Sequence, residues 1–386
     1  MMARIPLSSP DITQTEIDAV TAVLRTGRLS LGPELEAFER AMATLHGAAG
    51  AVAVSSGTAG LHLALLALGI GAGSEVIVPS FAFVAVANAV LHVGATPVFV
   101  DIDPVTLNLD PALVEEAITT RTAALLVVHT FGVPAEMDRL VEIARKHRLA
   151  LIEDACEAIG AAYGSKKVGT FGEIAVFGFY PNKQITTGEG GCVLVRDKSL
   201  GERLRSLRNQ GRRSLGKTAT PEIDGAAANW FEHIEIGYNY RLSELACALG
   251  RVQIGRMDEI LGLRRAAAER YHALLEGVGE FERPPLATPN GTISWFVYVV
   301  RLAAPLAHLR DRLQETLSQR GIATGRYFAP IHQQPGWKNH PSARACSLPW
   351  TESIAPRTLA LPFFNRITSN QQGQVVEVLR DAIGRM

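Results

Sequence analysis

Cysteine is scarce in this 386-residue chain, and its four copies, Cys156, Cys192, Cys247 and Cys346, stand far apart with no CxxC pair. That pattern excludes a disulfide framework and a clustered zinc site, and it fits buried thiols in a reducing compartment. Net charge is missing as well. Lys and Arg total 38, Asp and Glu total 38, so no global field draws the chain to nucleic acid or to an anionic membrane. The first ten residues have no apolar signal core. Long unbroken apolar runs are absent too. Residues 47–74 and 76–100 carry no formal charge, but Gly, Pro, Ser, Asn and His interrupt them, so they read as buried helices and strands and not as membrane spans. No repeat, low-complexity tract or heptad is visible. These absences leave a cytoplasmic protein with room for two domains sharing an extensive core.

What is present is alternation. Between about residues 55 and 196, apolar runs at 75–78, 97–101, 123–129, 150–153, 174–179 and 192–195 read as strands. Helical patterns fall between them at 59–68, 84–91, 110–117 and 137–147. Strand-helix alternation predicts an α/β fold with a mostly parallel central sheet covered by helices on both faces. Ligands of such sheets sit beyond the carboxyl ends of the strands. The texture then changes. Residues 211–235 are polar and read as a long loop, 243–274 as a helical bridge, 295–302 as a strand, 308–320 and 371–383 as helices. The expected division is a large domain over residues 1–255 and a smaller C-terminal α+β domain over 256–386.

Two residues carry the chemistry. Asp154 closes the apolar run ending in Glu153-Asp154, and Lys183 follows in Phe177-Gly-Phe-Tyr-Pro-Asn-Lys183-Gln-Ile-Thr-Thr-Gly188-Glu-Gly-Gly191. A strand-end carboxylate followed by a lysine beside a glycine-rich turn suits pyridoxal 5'-phosphate (PLP). The lysine holds the cofactor as a Schiff base and shuttles a proton, while the aspartate keeps the pyridine nitrogen protonated. A strand-end helix cap and a surface lysine are the plainer alternatives. Ser55-Ser-Gly57-Thr58-Ala-Gly60 precedes an apolar helix. It reads either as a phosphate cradle formed by Gly57, Thr58 and the helix N-terminus or as an ordinary Ser N-cap. Phe83 is either a ring stacked over the cofactor or a core phenylalanine. No metal site is expected.

With these motifs on the page, the chain resembles the sugar aminotransferases of the DegT/DnrJ/EryC1/StrS family, which have the fold-type I PLP architecture. The resemblance runs from Thr26-Gly-Arg-Leu-Ser-Leu-Gly-Pro33 through Val128-His-Thr-Phe-Gly132 and Gly237-Tyr-Asn239-Tyr-Arg241 to Tyr327-Phe-Ala-Pro-Ile-His332. It implies that Asn239 reaches the PLP phosphate of a neighbouring subunit, so that a homodimer shares its active sites. It also implies that the segment holding Arg326 and His332 lines the sugar-nucleotide side. His332 is equally readable as a hydrogen-bonded loop histidine. Arg212, Arg213 and Lys217 of the polar loop are either pyrophosphate ligands or solvated charges.

Two positions depart from the family's pattern. Gly178 stands where the family commonly has Ser, which removes one phosphate hydrogen bond worth roughly 0.5–1.5 kcal/mol. Glu157 stands where Gln or His is common, and Glu there is similar to the perosamine-synthase type, which carries "EDCAEA". The implied reaction is amino transfer from L-glutamate to a nucleotide-linked 4-keto-6-deoxy sugar. Alternatives are a 3-keto sugar or aminocyclitol precursor as acceptor, and a non-catalytic PLP-fold regulator. A related sugar 3-dehydratase carries His in place of the lysine, and Lys183 argues against it.

Overall fold

The computed structural model describes residues 4–212 and 232–385. Residues 213 and 217, named above in the polar loop, lie outside that range. The ends of this loop meet, with Arg212 bridged to His233 and the Ile234 N–H donating to the Gly211 carbonyl at 2.8 Å.

The chain starts with two helices, α1 (Gln14–Thr26) and α2 (Pro33–His46), that the apolar periodicity had not singled out. The carboxylate of the distant Glu244 caps α2, accepting the N–H groups of Gly32, Glu34 and Leu35. Strand β1 (Gly50–Val54) then leads into α3 (Gly57–Ala67). There follow β2 (Glu75–Pro79), β3 (Thr96–Val100), β4 (Thr122–Val128), β5 (Ala150–Asp154), the short β6 (Ala162–Tyr163) and β7 (Lys166–Lys167), β8 (Ile174–Gly178) and β9 (Gly191–Val195). The C-terminal part adds β10 (Phe281–Glu282), β11 (Gly291–Thr292), β12 (Tyr298–Leu302), β13 (Arg344–Ala345) and β14 (Thr358–Leu361).

Eight strands form the central sheet in the order β1-β9-β8-β5-β4-β2-β3-β13. The pairings from β8 out to β13 are parallel, and β9 alone runs antiparallel to both its neighbours. Parallel strands buried on both faces read as continuous apolar runs, which is why the sequence located them to within a residue or two. β1 escaped notice because Gly50-Ala-Val-Ala-Val54 sits in a long uncharged stretch with no contrast to mark its ends. One face packs on α3 through Val54, Leu61, Leu65, Val176 and Val193. The opposite face buries Phe38, Met42, Phe177 and Phe179 toward one edge and Val100, Leu125, Val127 and Leu140 toward the other. The fold is the expected α/β class.

The bridging helix is not continuous. It divides into Glu244–Gly255 and Met257–Leu274, and Arg256 between them has φ −100° and ψ 11°. Its guanidinium grips Glu259, Glu16 and Asp11. The turn is therefore fixed by carboxylates from the start of the chain, which no local pattern announces. The C-terminal part builds an antiparallel sheet β10-β12-β14. Helices Arg310–Gln319 and Ser369–Gly384 cover it through Leu313, Leu317, Val375 and Leu379. Ile5 joins this core, bridged to Ile322, with its backbone bonded to Gly321 and Ala323.

Candidate active site

Successive residues of a strand point to opposite faces, and at the end of β5 that rule separates two carboxylates. Glu153 points into a closed pocket. It accepts N–H groups from Gly169, Phe171 and Gly172 and pairs with His129 Nε2 at 3.1 Å. His129 Nδ1 accepts the Ala135 N–H, so its proton sits on Nε2 and is donated to Glu153. Burial pushes the Glu153 pKa up, but these donors outweigh it and hold the carboxyl below its usual range. Asp154 points the other way, to the carboxyl end of the sheet. It is nearly buried, and its Oδ1 accepts the Cys156 N–H at 3.0 Å.

Lys183 reaches the same place from the turn after β8. The turn is stitched by Thr186, whose hydroxyl donates to the Phe179 carbonyl and accepts the Gly188 N–H. Gln184 donates to the Glu157 and Ser294 carbonyls. Gly191 must lack a side chain, because a β-carbon there would fall 2.6 Å from the backbone of Ser56. Lys183 Nζ lies 3.5 Å from Glu157 Oε1 and 4.0 Å from the centre of the Phe296 ring, with its side chain 15% exposed. Glu157 Oε2 accepts the Phe131 N–H at 2.9 Å. Burial raises the Glu157 pKa and the Asp154 charge adds to that, while Lys183 and the Phe131 N–H pull it down without prevailing.

The α3 N-terminus lies beside this cluster. Ser56 is its N-cap, accepting the Ala59 N–H at 3.0 Å. The N–H groups of the first turn have no intrahelical acceptor. Gly57, the first helical residue, abuts Cys156 and the backbone of Gly178, and Thr58 follows it in the first turn, half-buried. The Ser55 N–H donates to the Tyr240 carbonyl at 2.8 Å, which places the exposed Asn239 one residue from this loop.

The structure thus brings Asp154, Glu157 and Lys183 together next to Gly57. Phe83 is 62% exposed. Arg326 and His332 turn to other partners. The Arg326 guanidinium bonds Gln314 and Asp311 on helix Arg310–Gln319. His332 takes the Ser80 hydroxyl at 2.7 Å on Nδ1 and meets Glu352 at 3.1 Å on Nε2. The sequence reading missed an aromatic wall formed by Phe131, Phe296, Tyr327 and Phe328. The Tyr327 ring stacks parallel to Phe296, 6.1 Å away. Burial raises the Tyr327 phenol's pKa against a hydrogen bond with Asn182, and the Glu157 charge adds to the rise. Tyr327 opens the segment Tyr327-Phe-Ala-Pro-Ile-His332, so the signal for the wall is its pair of adjacent aromatics.

A PLP molecule fits this arrangement on the chemistry of its donor set. It requires an amine to bond, a carboxylate for the ring nitrogen and an uncrowded helix N-terminus for phosphate, and Lys183, Asp154 and Gly57 supply these within one cluster. Among the described residues no group of His, Cys, Asp and Glu is placed to hold a metal ion.

Comparison with known proteins agrees. The model of the DegT/DnrJ/EryC1/StrS aminotransferase family matches residues 10–380. GDP-perosamine synthase of Caulobacter vibrioides is 40% identical over 335 residues, 86% of this chain and 87% of that protein. The spore coat polysaccharide biosynthesis protein SpsC of Bacillus subtilis is 34% identical over 385 residues, 98% of this chain and 97% of its own. The crystal structure of S. venezuelae DesV in complex with a ketimine intermediate covers 100% of both chains at 37% identity, with a TM-score of 0.87. The fold and the site define a PLP-dependent aminotransferase of fold type I. This chain belongs to the DegT/DnrJ/EryC1/StrS family, and it is a sugar aminotransferase.

Proposed function

We propose that the chain moves the amino group of L-glutamate to a nucleotide-linked 4-keto-6-deoxy sugar. Atoms balance as a carbonyl oxygen exchanged for an amine: glutamate becomes the 2-oxo acid and the keto sugar becomes an amino sugar. The observation that carries the reading is the cluster of Lys183, Asp154 and Glu157. The likeness to GDP-perosamine synthase supports the choice of sugar.

PLP, when bound, supplies a carbonyl that receives the amino group and a ring that withdraws electrons. The chain's own residues do the rest. Lys183 holds the cofactor through Nζ, and once released takes a proton from the donor's carbon and returns one to the acceptor's. Asp154, anchored through Oδ1 to the Cys156 N–H, presents negative charge to the ring nitrogen. Gly57, Thr58 and the α3 N-terminus offer N–H groups to the phosphate, and Phe83 supplies a ring for stacking. Glu157 keeps Lys183 Nζ in place, and burial holds its carboxyl pKa above the ordinary value. Phe296 and Tyr327 keep water from Nζ. Asn239, exposed near Ser55, completes the phosphate site of a second copy, which makes the working unit a homodimer.

The test is spectroscopic. The holoenzyme is treated with L-glutamate until its visible band is lost, then GDP-, UDP- and dTDP-4-keto-6-deoxy sugars are added separately. Return of the band with one of them is expected and identifies the nucleotide. Loss with glutamate but no return with any sugar would sink the 4-keto-6-deoxy assignment while leaving amino transfer intact. Mixed dimers of Lys183→Ala and Asn239→Ala chains should regain activity, and none in proven heterodimers would defeat the sharing of sites.

A further inference from the structure

Cys156 sits inside the cluster with no part in the roles above. Its sulfur occupies a volume that two glycines face. A β-carbon built on Gly57 would stand 2.7 Å from Cys156 Sγ. One built on Gly178 would stand 3.2 Å from the same sulfur and 3.4 Å from Cys156 Cβ. Gly57 opens α3 and Gly178 closes β8. The Gly57 β-carbon would also lie 3.5 Å from the Gly178 Cα, so the three positions share one space beside the helix N-terminus. The thiol makes a long hydrogen bond to the Val176 carbonyl at 3.7 Å and another with the Asp154 side chain. Burial, and the Asp154 charge after it, hold the thiol well above the ordinary cysteine range, so it sits there as a neutral filler.

We propose that Cys156 is a positioning residue for the anion cradle, setting how closely the first turn of α3 approaches β8, and that its sulfur is the reason position 178 is glycine. The inference rests on the reading that the α3 N-terminus holds the PLP phosphate. A serine at 178 puts its β-carbon against the sulfur, so the sulfur or the α3 start yields by a few tenths of an ångström. The contact to Cys156 Cβ is of ordinary length, so truncation to alanine removes the conflict entirely. The same truncation removes the tighter conflict at Gly57. The freed volume then receives the serine hydroxyl, a better phosphate donor than a thiol.

The experiment is a double-mutant cycle. Wild type, Cys156→Ala, Gly178→Ser and the double variant are stripped of cofactor and titrated with PLP and, separately, with pyridoxal, which lacks the phosphate. Gly178→Ser is expected to lose about tenfold in PLP affinity, equivalent to about 1.4 kcal/mol, and the double variant to recover to within about threefold of wild type. Pyridoxal affinity should change less than about threefold throughout, which a merely structural role of Cys156 would not produce. Additive losses in a wild type that prefers PLP to pyridoxal would overturn the role of Cys156 alone. A wild type that binds both equally would remove the cradle reading itself, and this inference with it. Should Gly178→Ser fail to fold, a folded, PLP-binding double variant would support the coupling, and failure of both would refute it.

Discussion

Glu153 and Asp154 are neighbours in sequence, share a strand end, and have opposite surroundings. Glu153 meets three backbone N–H groups and a histidine in a pocket with no exposure. Asp154 accepts the Cys156 N–H, lies beside the Cys156 thiol and a second acid, Glu157, and shares their cluster with Lys183. A carboxylate whose acceptor sites are filled by its own chain has finished its work when the protein folds. One left with open lone pairs next to an amine is kept for something that arrives later. The contrast teaches that unfinished hydrogen bonding distinguishes the two where residue type does not.

Four variants press on that contrast. The largest effect belongs to the open side. Lys183→Ala should cost on the order of 10⁴-fold in turnover and abolish the visible absorbance of the holo-protein, with the melting of the apo-protein little changed. A yellow, active Lys183→Ala protein would end the assignment. On the closed side, Glu153→Gln should cost about 3–5 kcal/mol in denaturant unfolding, because an NH2 group replaces the oxygen that accepts from His129 Nε2 and the Gly169 N–H, setting donor against donor. A near-neutral result would mean the pocket is wetter than it is drawn. Asp154→Asn should reverse that pattern, with stability within about 1 kcal/mol of wild type and turnover down by about 10²-fold or more. Stability lost in step with activity would erase the distinction.

The smallest effect is one of pH, and its sign differs between the acids. Glu153 has a folded pKa below the ordinary 4.5, so its stabilisation is present above that pH and is lost as pH falls. Glu157 has a folded pKa above 4.5, so its contribution is full below that pH and is lost as pH rises through the folded value. Unfolding of the apo-proteins from about pH 3 to about pH 8 samples both sides of the ordinary carboxyl value. Relative to wild type, Glu157→Gln should gain stability with rising pH and Glu153→Gln should lose it. Parallel curves would refute the opposed environments.

Much of this was legible in the chain. Apolar runs and helical patterns placed the middle of the sheet, and the interval from Asp154 to Lys183 placed the chemistry, because both are written in consecutive residues. What escaped depends on distant partners. The break at Arg256 is set by Asp11 and Glu16. The wall over Lys183 is Phe296 and Tyr327, brought from the C-terminal part. The absence of a side chain at Gly178 makes sense only once Cys156 is seen against it.

Ile5 leaves the ribosome long before its backbone partners, Gly321 and Ala323, are made. At roughly 5–20 residues per second the segment waits about 15–60 s before it can dock. Completion of the C-terminal core around Ile5 therefore waits for the synthesis of Gly321 to Ala323. A change at Ile5 would therefore be felt in a core built from residues some 300 positions away.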